Sequence, residues 1–139
     1  MAGYLFDTNH LSDAIRKTSV LRDRLRAAHR RGHRFATCWP VLCELEAGIC
    51  QMARAESYRR TLHSLLSEIR FWAVDWKSVR LYGELFKKVR KKGRTLSHVD
   101  LVLAALASQF KVTILTADKD FQATPEIKTE NWLIGYSRR

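Results

Sequence analysis

Apolar residues along this 139-residue chain follow two different periods. Short runs that are apolar almost throughout, GYLFD (3–7), RFATCW (34–39), FWAVDW (71–76), VTILTAD (112–118) and NWLI (131–134), have the length and the aromatic or β-branched content of buried strands. Between them, apolar positions recur every three or four residues, the spacing of one helix face. That spacing predicts a short helix over 10–17 and another over 20–31, where Leu21, Leu25 and Ala28 share a face and Gly32 suits the stop. Pro40, whose missing N–H is harmless in a first turn, opens a third helix with Leu42, Leu45, Ile49 and Met52 as its stripe. Helices over 56–68, 78–92 (ended by Gly93) and 97–110 complete the set. Strands alternating with helices predict an α/β fold of three layers, α/β/α, around a central, mainly parallel sheet of about four or five strands. No repeat, low-complexity segment or Pro/Gly-rich linker interrupts the pattern, so residues 1–139 read as a single domain.

Composition narrows the class. The longest uninterrupted apolar run, LVLAALA (101–107), falls far short of the roughly 18 residues a membrane span needs. No basic segment leads into an apolar stretch near the start, so no signal peptide is expected, and a cytoplasmic protein without a membrane partner is. The three cysteines, Cys38, Cys43 and Cys50, are odd in number and lack CxxC spacing, which predicts buried thiols rather than disulfides or a zinc site. Trp39, Phe71, Trp72 and Trp76 are expected mostly in the core, with base stacking or a dimer interface as their other uses. Lys and Arg total 25 against 14 Asp and Glu, and this formal charge of +11 favours a polyanionic partner, above all nucleic acid.

Against that positive background, several acids sit in awkward places. Asp7 ends the first apolar strand, Glu44 lies in PVLCELEAGI, Asp100 precedes LVLAALA, and Asp118 and Asp120 close VTILTADKDF. Each alone has an ordinary reading as a helix cap, an Asx-turn, a turn acid or a solvated charge. Together they point elsewhere. A helix as apolar as LVLAALA must be buried, which brings Asp100 close to the sheet, and Ala47 and Gly48 leave room beside Glu44. Were the first and fourth strands neighbours, Asp7 and Asp118 would meet at the carboxyl edge of the sheet, where α/β proteins build their sites. Clustered carboxylates repel one another, and a hard divalent cation, Mg²⁺ or in its place Mn²⁺, removes the penalty. Acids at a cleft with positive charge around it describe a phosphodiesterase acting on nucleic acid.

At these residues the sequence resembles a PIN domain of the VapC toxin ribonuclease type. The likeness runs from LFDTN near the start to TENW near the end, and rests on the order and spacing of DTN, ELEAGI, DLVLAALA and LTADKDF. The resemblance implies a metal-binding Asp7 oriented by Thr8 and Asn9, Glu44 as the second acid, and Asp100 as the third. It places Thr116 in the lining of the site and the last acid at Asp118 first, with Asp120 as a second contributor. Asp7, Asp100 and Asp118 would hold Mg²⁺, while Glu44 orients or deprotonates the attacking water. It further implies endonucleolytic cleavage of RNA, a homodimer, a cognate antitoxin protein, and binding of operator DNA only through that antitoxin. The resemblance gives His98 no role; it reads as a helix-start residue, with substrate contact as its other use.

Two basic stretches remain. KKVRKKGR places Lys87, Lys88, Arg90, Lys91, Lys92 and Arg94 just ahead of the Asp100 helix, where contact with the RNA backbone is expected. Arg22, Arg24, Arg26, Arg30, Arg31 and Arg34 form a second zone. The rival readings are a non-catalytic basic nucleic-acid-binding domain, whose acids are all caps, and a subunit that only binds a partner helix. A haloacid-type phosphatase would want a second Asp where Asn9 stands.

Overall fold

A computed structural model describes residues 2–133. In chain order these form β1 (Gly3–Phe6), α1 (Thr8–Ala14), α2 (Val20–Arg30), β2 (Arg34–Cys38), α3 (Trp39–Ile49), α4 (Ala55–Leu66), β3 (Arg70–Trp72), α5 (Trp76–Lys91), α6 (His98–Phe110), β4 (Thr113–Leu115), a 3₁₀ turn (Lys119–Ala123) and β5 (Thr129–Glu130). The five strands make one sheet in the order β3-β2-β1-β4-β5, and every neighbouring pair is parallel. Helices α1 to α4 pack together, and α5 packs along α6, so the sheet is covered as a three-layer α/β/α domain requires. Among the described residues no helix is long and apolar enough to cross a membrane.

The sequence pattern explains the layers. β1 lies in the middle of the sheet, and Tyr4, Leu5 and Phe6 are all buried, as its unbroken apolar run requires. In α6 the whole segment Leu101–Ala107 is buried, which is why that helix has no polar face. Gly32 and Gly93, just past α2 and α5, adopt positive φ of 94° and 68°, the left-handed stop a side chain resists.

Several expectations are corrected. The strand expected over 71–76 is only Arg70–Trp72. Asp75 ends it by capping α5: its carboxylate accepts from Ser78 N at 2.9 Å, and Ser78 Oγ accepts from Asp75 N at 3.1 Å. The last strand is Thr129–Glu130 rather than 131–134; Asn131 to Leu133 follow it, and Ile134 lies outside the described residues. The buried stripe of α3 is Val41, Leu45 and Ile49, because the helix starts at Trp39; Leu42 is half-buried and Met52 exposed. Only Cys38 is buried, and burial pushes its thiol up to about 11, whereas Cys43 and Cys50 are exposed.

The aromatic residues expected in the core are largely outside it. Trp39 is 63 % and Trp76 82 % exposed. Trp39 opens α3 and Trp76 opens α5, so neither ring lies on a strand. Trp39 leans on Phe71 with centroids 4.3 Å apart, and Trp72 stacks on Phe110 at the same distance. The arginine zone is partly spent on the fold. Arg22 donates to the carbonyls of Ala14, Arg16 and Lys17, and Arg24 lies 4.0 Å over the Trp132 ring.

Candidate active site

Chain order reverses direction between β1 and β4, and the carboxyl ends of these two strands open a crevice. Asp7 leaves β1 at this point. Its backbone N–H donates to Leu115 O of β4 (3.1 Å), which locks the two strand ends together. Its side chain caps α1, with Oδ1 accepting from His10 N at 2.8 Å and from His10 Nδ1 at 3.1 Å. Only 6 % of Asp7 is exposed.

The other acids arrive from three elements. Glu44 projects from α3 into solvent, and its Oε1 accepts from Thr8 Oγ1 at 2.6 Å. Thr8 therefore orients Glu44, whereas the sequence reading paired it with Asp7. Asn9 lines, with Thr8, Glu44 and Gly48, a cleft of about 210 Å³. A Cβ added at Gly48 would meet nothing within 4 Å, so the room expected beside Glu44 is present. Asp100 stands in the first turn of α6, where Ser97 Oγ caps its backbone N–H (3.1 Å). Asp118 follows β4, fixed on one side by the buried Thr116, whose Oγ1 accepts from Asp118 N (3.0 Å). On the other side Asp118 Oδ1 accepts from Asp120 N at 2.8 Å. Asp120 thus enters through its amide, and its carboxylate is not among the charges acting on Asp100.

Those charges reveal the convergence. Burial lifts the Asp100 carboxyl, and the nearby charges of Asp118, Asp7 and Glu44 lift it further, to about 6, against the opposing hydrogen bond from Ser97. Acids from positions 7, 44, 100 and 118 therefore share one field. In a chain of net charge +11, none of the four is ion-paired to Lys or Arg among the described residues; Asp7 has only His10.

The donor set is all oxygen and suits a hard divalent cation. Among the described residues, no three His, Cys, Asp or Glu side chains stand close enough to close on one ion by themselves. An ion held here would have to keep several of its own waters, as Mg²⁺ commonly does.

Near the site, His98 is engaged by Tyr82, whose hydroxyl lies 2.7 Å from Nδ1. Lys87, Lys88, Arg90, Lys91 and Arg94 are exposed at the C-terminal end of α5, one loop before α6. Lys92 differs: its ammonium donates to Ala123 O at 2.8 Å and braces the turn after Asp118. The residue that sequence reasoning passed over is His10. The signal was available, since an N-cap Asp followed three residues later by His sets the ring beside the carboxylate.

Residues 4–127, which include all four acids, match the profile of the PIN domain. The chain belongs to the PIN-domain family. Its likeness to individual PIN domains extends over nearly its whole length. It is 28 % identical over 130 residues to Ribonuclease VapC2 of Rickettsia felis, covering 93 % of this chain and 97 % of that one. Among solved structures, VapBC2 of Rickettsia felis bound to a DNA fragment from its promoter superposes with a TM-score of 0.82 at 27 % identity, covering 94 % of this chain and 98 % of that one. DNA-bound VapBC of Salmonella typhimurium gives a TM-score of 0.80 at 20 % identity, covering 95 % and 99 %, a likeness of fold.

Proposed function

We propose that this PIN domain is a Mg²⁺-dependent endoribonuclease and the toxin of a toxin–antitoxin pair. The observation that carries the reading is that the charges of Asp118, Asp7 and Glu44 all act on Asp100, while none of the four acids is ion-paired to Lys or Arg among the described residues. Similarity to Ribonuclease VapC2 supports RNA as substrate, and similarity to VapBC complexes, some DNA-bound, supports an antitoxin partner that carries the operator contact. The homodimer expected from the sequence belongs to the same reading, as does action in the cytoplasm, where RNA and antitoxin meet.

Asp7, Asp100 and Asp118 would hold the ion, directly or through water. Bound there, it would supply Lewis acidity toward a phosphoryl oxygen and lower the pKa of an attacking water. The side chains then divide the remaining work. Thr8 holds Glu44 by one oxygen, leaving Oε2 as the acceptor for a water proton. Thr116 fixes the backbone of Asp118 by accepting from its amide.

The direct test is incubation of the purified chain with RNA oligonucleotides. Cleavage is expected with Mg²⁺ or Mn²⁺ and none with excess chelator; binding without cleavage under all metal conditions would leave a non-catalytic basic domain. Cleaved RNA should approach along the end of α5. Binding should weaken with salt, and Lys88→Ala or Lys91→Ala should each reduce the slope of log affinity against log salt by about 0.7–1. A slope unchanged in the double variant would remove this helix end from the RNA path. Lys92 is left out of that test because its charge already serves Ala123.

A further inference from the structure

His10 is a fully enclosed histidine, 0 % exposed, whose two ring nitrogens are both engaged. Nδ1 lies 3.1 Å from Asp7 Oδ1, and Nε2 accepts from the backbone N–H of Trp132 at 3.1 Å. A backbone amide can only donate, so Nε2 is the bare nitrogen and the ring proton sits on Nδ1, pointing at Asp7. Both hydrogen bonds found on this carboxylate among the described residues fall on Oδ1, which leaves Oδ2 without one.

We infer that His10 is a positioning residue for Asp7, holding the carboxylate in one rotamer with Oδ2 presented to the cation, and that it joins this acid to the chain after β5. The join is well anchored at its far end. Trp132 is buried against Tyr4 and Phe35, its indole N–H donates to Glu130 Oε1 (3.1 Å), and Arg24 covers its ring. A space-filling role alone would not account for this. An apolar residue of similar size could occupy the volume, but it would leave the Trp132 N–H unpaired and Asp7 held by the backbone N–H of residue 10 alone. The inference rests on Asp7 as a cation-holding acid, as proposed above.

Two substitutions separate its halves. His10→Asn places a donor where Nδ1 stands and abandons Trp132; His10→Gln places an acceptor where Nε2 stands and abandons Asp7. Partners that orient a metal-holding group are typically worth about 10–100-fold in metal affinity or activity. His10→Gln should therefore keep the melting temperature yet lose about 10–100-fold in Mn²⁺ affinity, measured calorimetrically, and in kcat on RNA, with KM nearly unchanged. His10→Asn should melt lower and keep both values close to those of the parent. Nitrogen-15 spectra of the ring should report a proton on Nδ1 and a bare Nε2. A Gln variant equal to the parent in Mn²⁺ affinity, or a proton found on Nε2, overturns the assignment. If no RNA is cut by any of the proteins but the Mn²⁺ contrast between Gln and Asn holds, the nuclease reading fails and the role of His10 stands.

Discussion

Asp7→Asn is expected to lower RNA cleavage by at least about 10³-fold, roughly 4 kcal/mol of barrier, while the protein stays folded. Asn is chosen over Ala because of what Asp7 does locally. Its Oδ1 caps α1 and receives the His10 ring, and an amide oxygen can accept both bonds. Asn is also among the best N-cap residues, so the helix start is kept. Ala would remove the cap at a cost of about 1 kcal/mol and strand the buried His10 donor, confounding chemistry with stability. What the amide cannot supply is charge at the face turned toward the crevice. A folded Asp7→Asn protein that cuts RNA at the parental rate, under the same Mg²⁺ dependence, would refute the site.

Asp100→Asn should have an opposite effect on stability, visible without any substrate. The folded Asp100 carboxyl titrates at about 6, raised by burial and by its three acidic neighbours, against about 4 in an unfolded chain. Below pH 4 both states are protonated and nothing is lost. Between pH 4 and 6 the folded state holds a proton that the unfolded state has released, so stability falls as pH rises. Above pH 6 the full cost of the half-buried charge is present, on the order of 1–2 kcal/mol once solvent screening is allowed for. In chelator, the variant should therefore match the parent near pH 4 and exceed it by about that amount at pH 7. Comparing the two proteins cancels acids such as Asp75 and Glu46, whose depressed values act in the other direction. Saturating Mg²⁺ should stabilise the parent, by about 2.7 kcal/mol at a hundredfold excess over Kd, and leave the variant nearly unmoved. A stability difference that is flat from pH 4 to 7 would mean that Asp100 does not share a field with the other acids.

The sequence made the frame of this molecule legible because β1 and α6 are apolar in almost every position, and such segments have only the interior in which to fit. The acids at the ends of these elements could be placed for the same reason. The edge was harder to read. FWAVDW has a strand-like composition, yet only Phe71 and Trp72 lie on the edge strand, Trp76 opens α5 exposed, and a local capping box at Asp75 starts that helix. Aromatic content marks a residue as costly to expose, but it does not say which strand has a neighbour. In the site, Thr8 was assigned to the acid beside it in sequence but serves Glu44, 36 positions away, because the first turn of α1 faces α3. Of the two partners of His10, Asp7 was legible in the spacing, but the other is a backbone amide 122 positions further on, and backbone amides leave no signature in a sequence.

The bond from the Asp7 amide to Leu115 also sets a timetable. β1 leaves a ribosome well before the strand that completes its crevice, which Asp118 follows. At about 5–20 residues per second, on the order of ten seconds separate the first of the four carboxylates from the last. Through that interval the nascent chain carries an incomplete set of these acids.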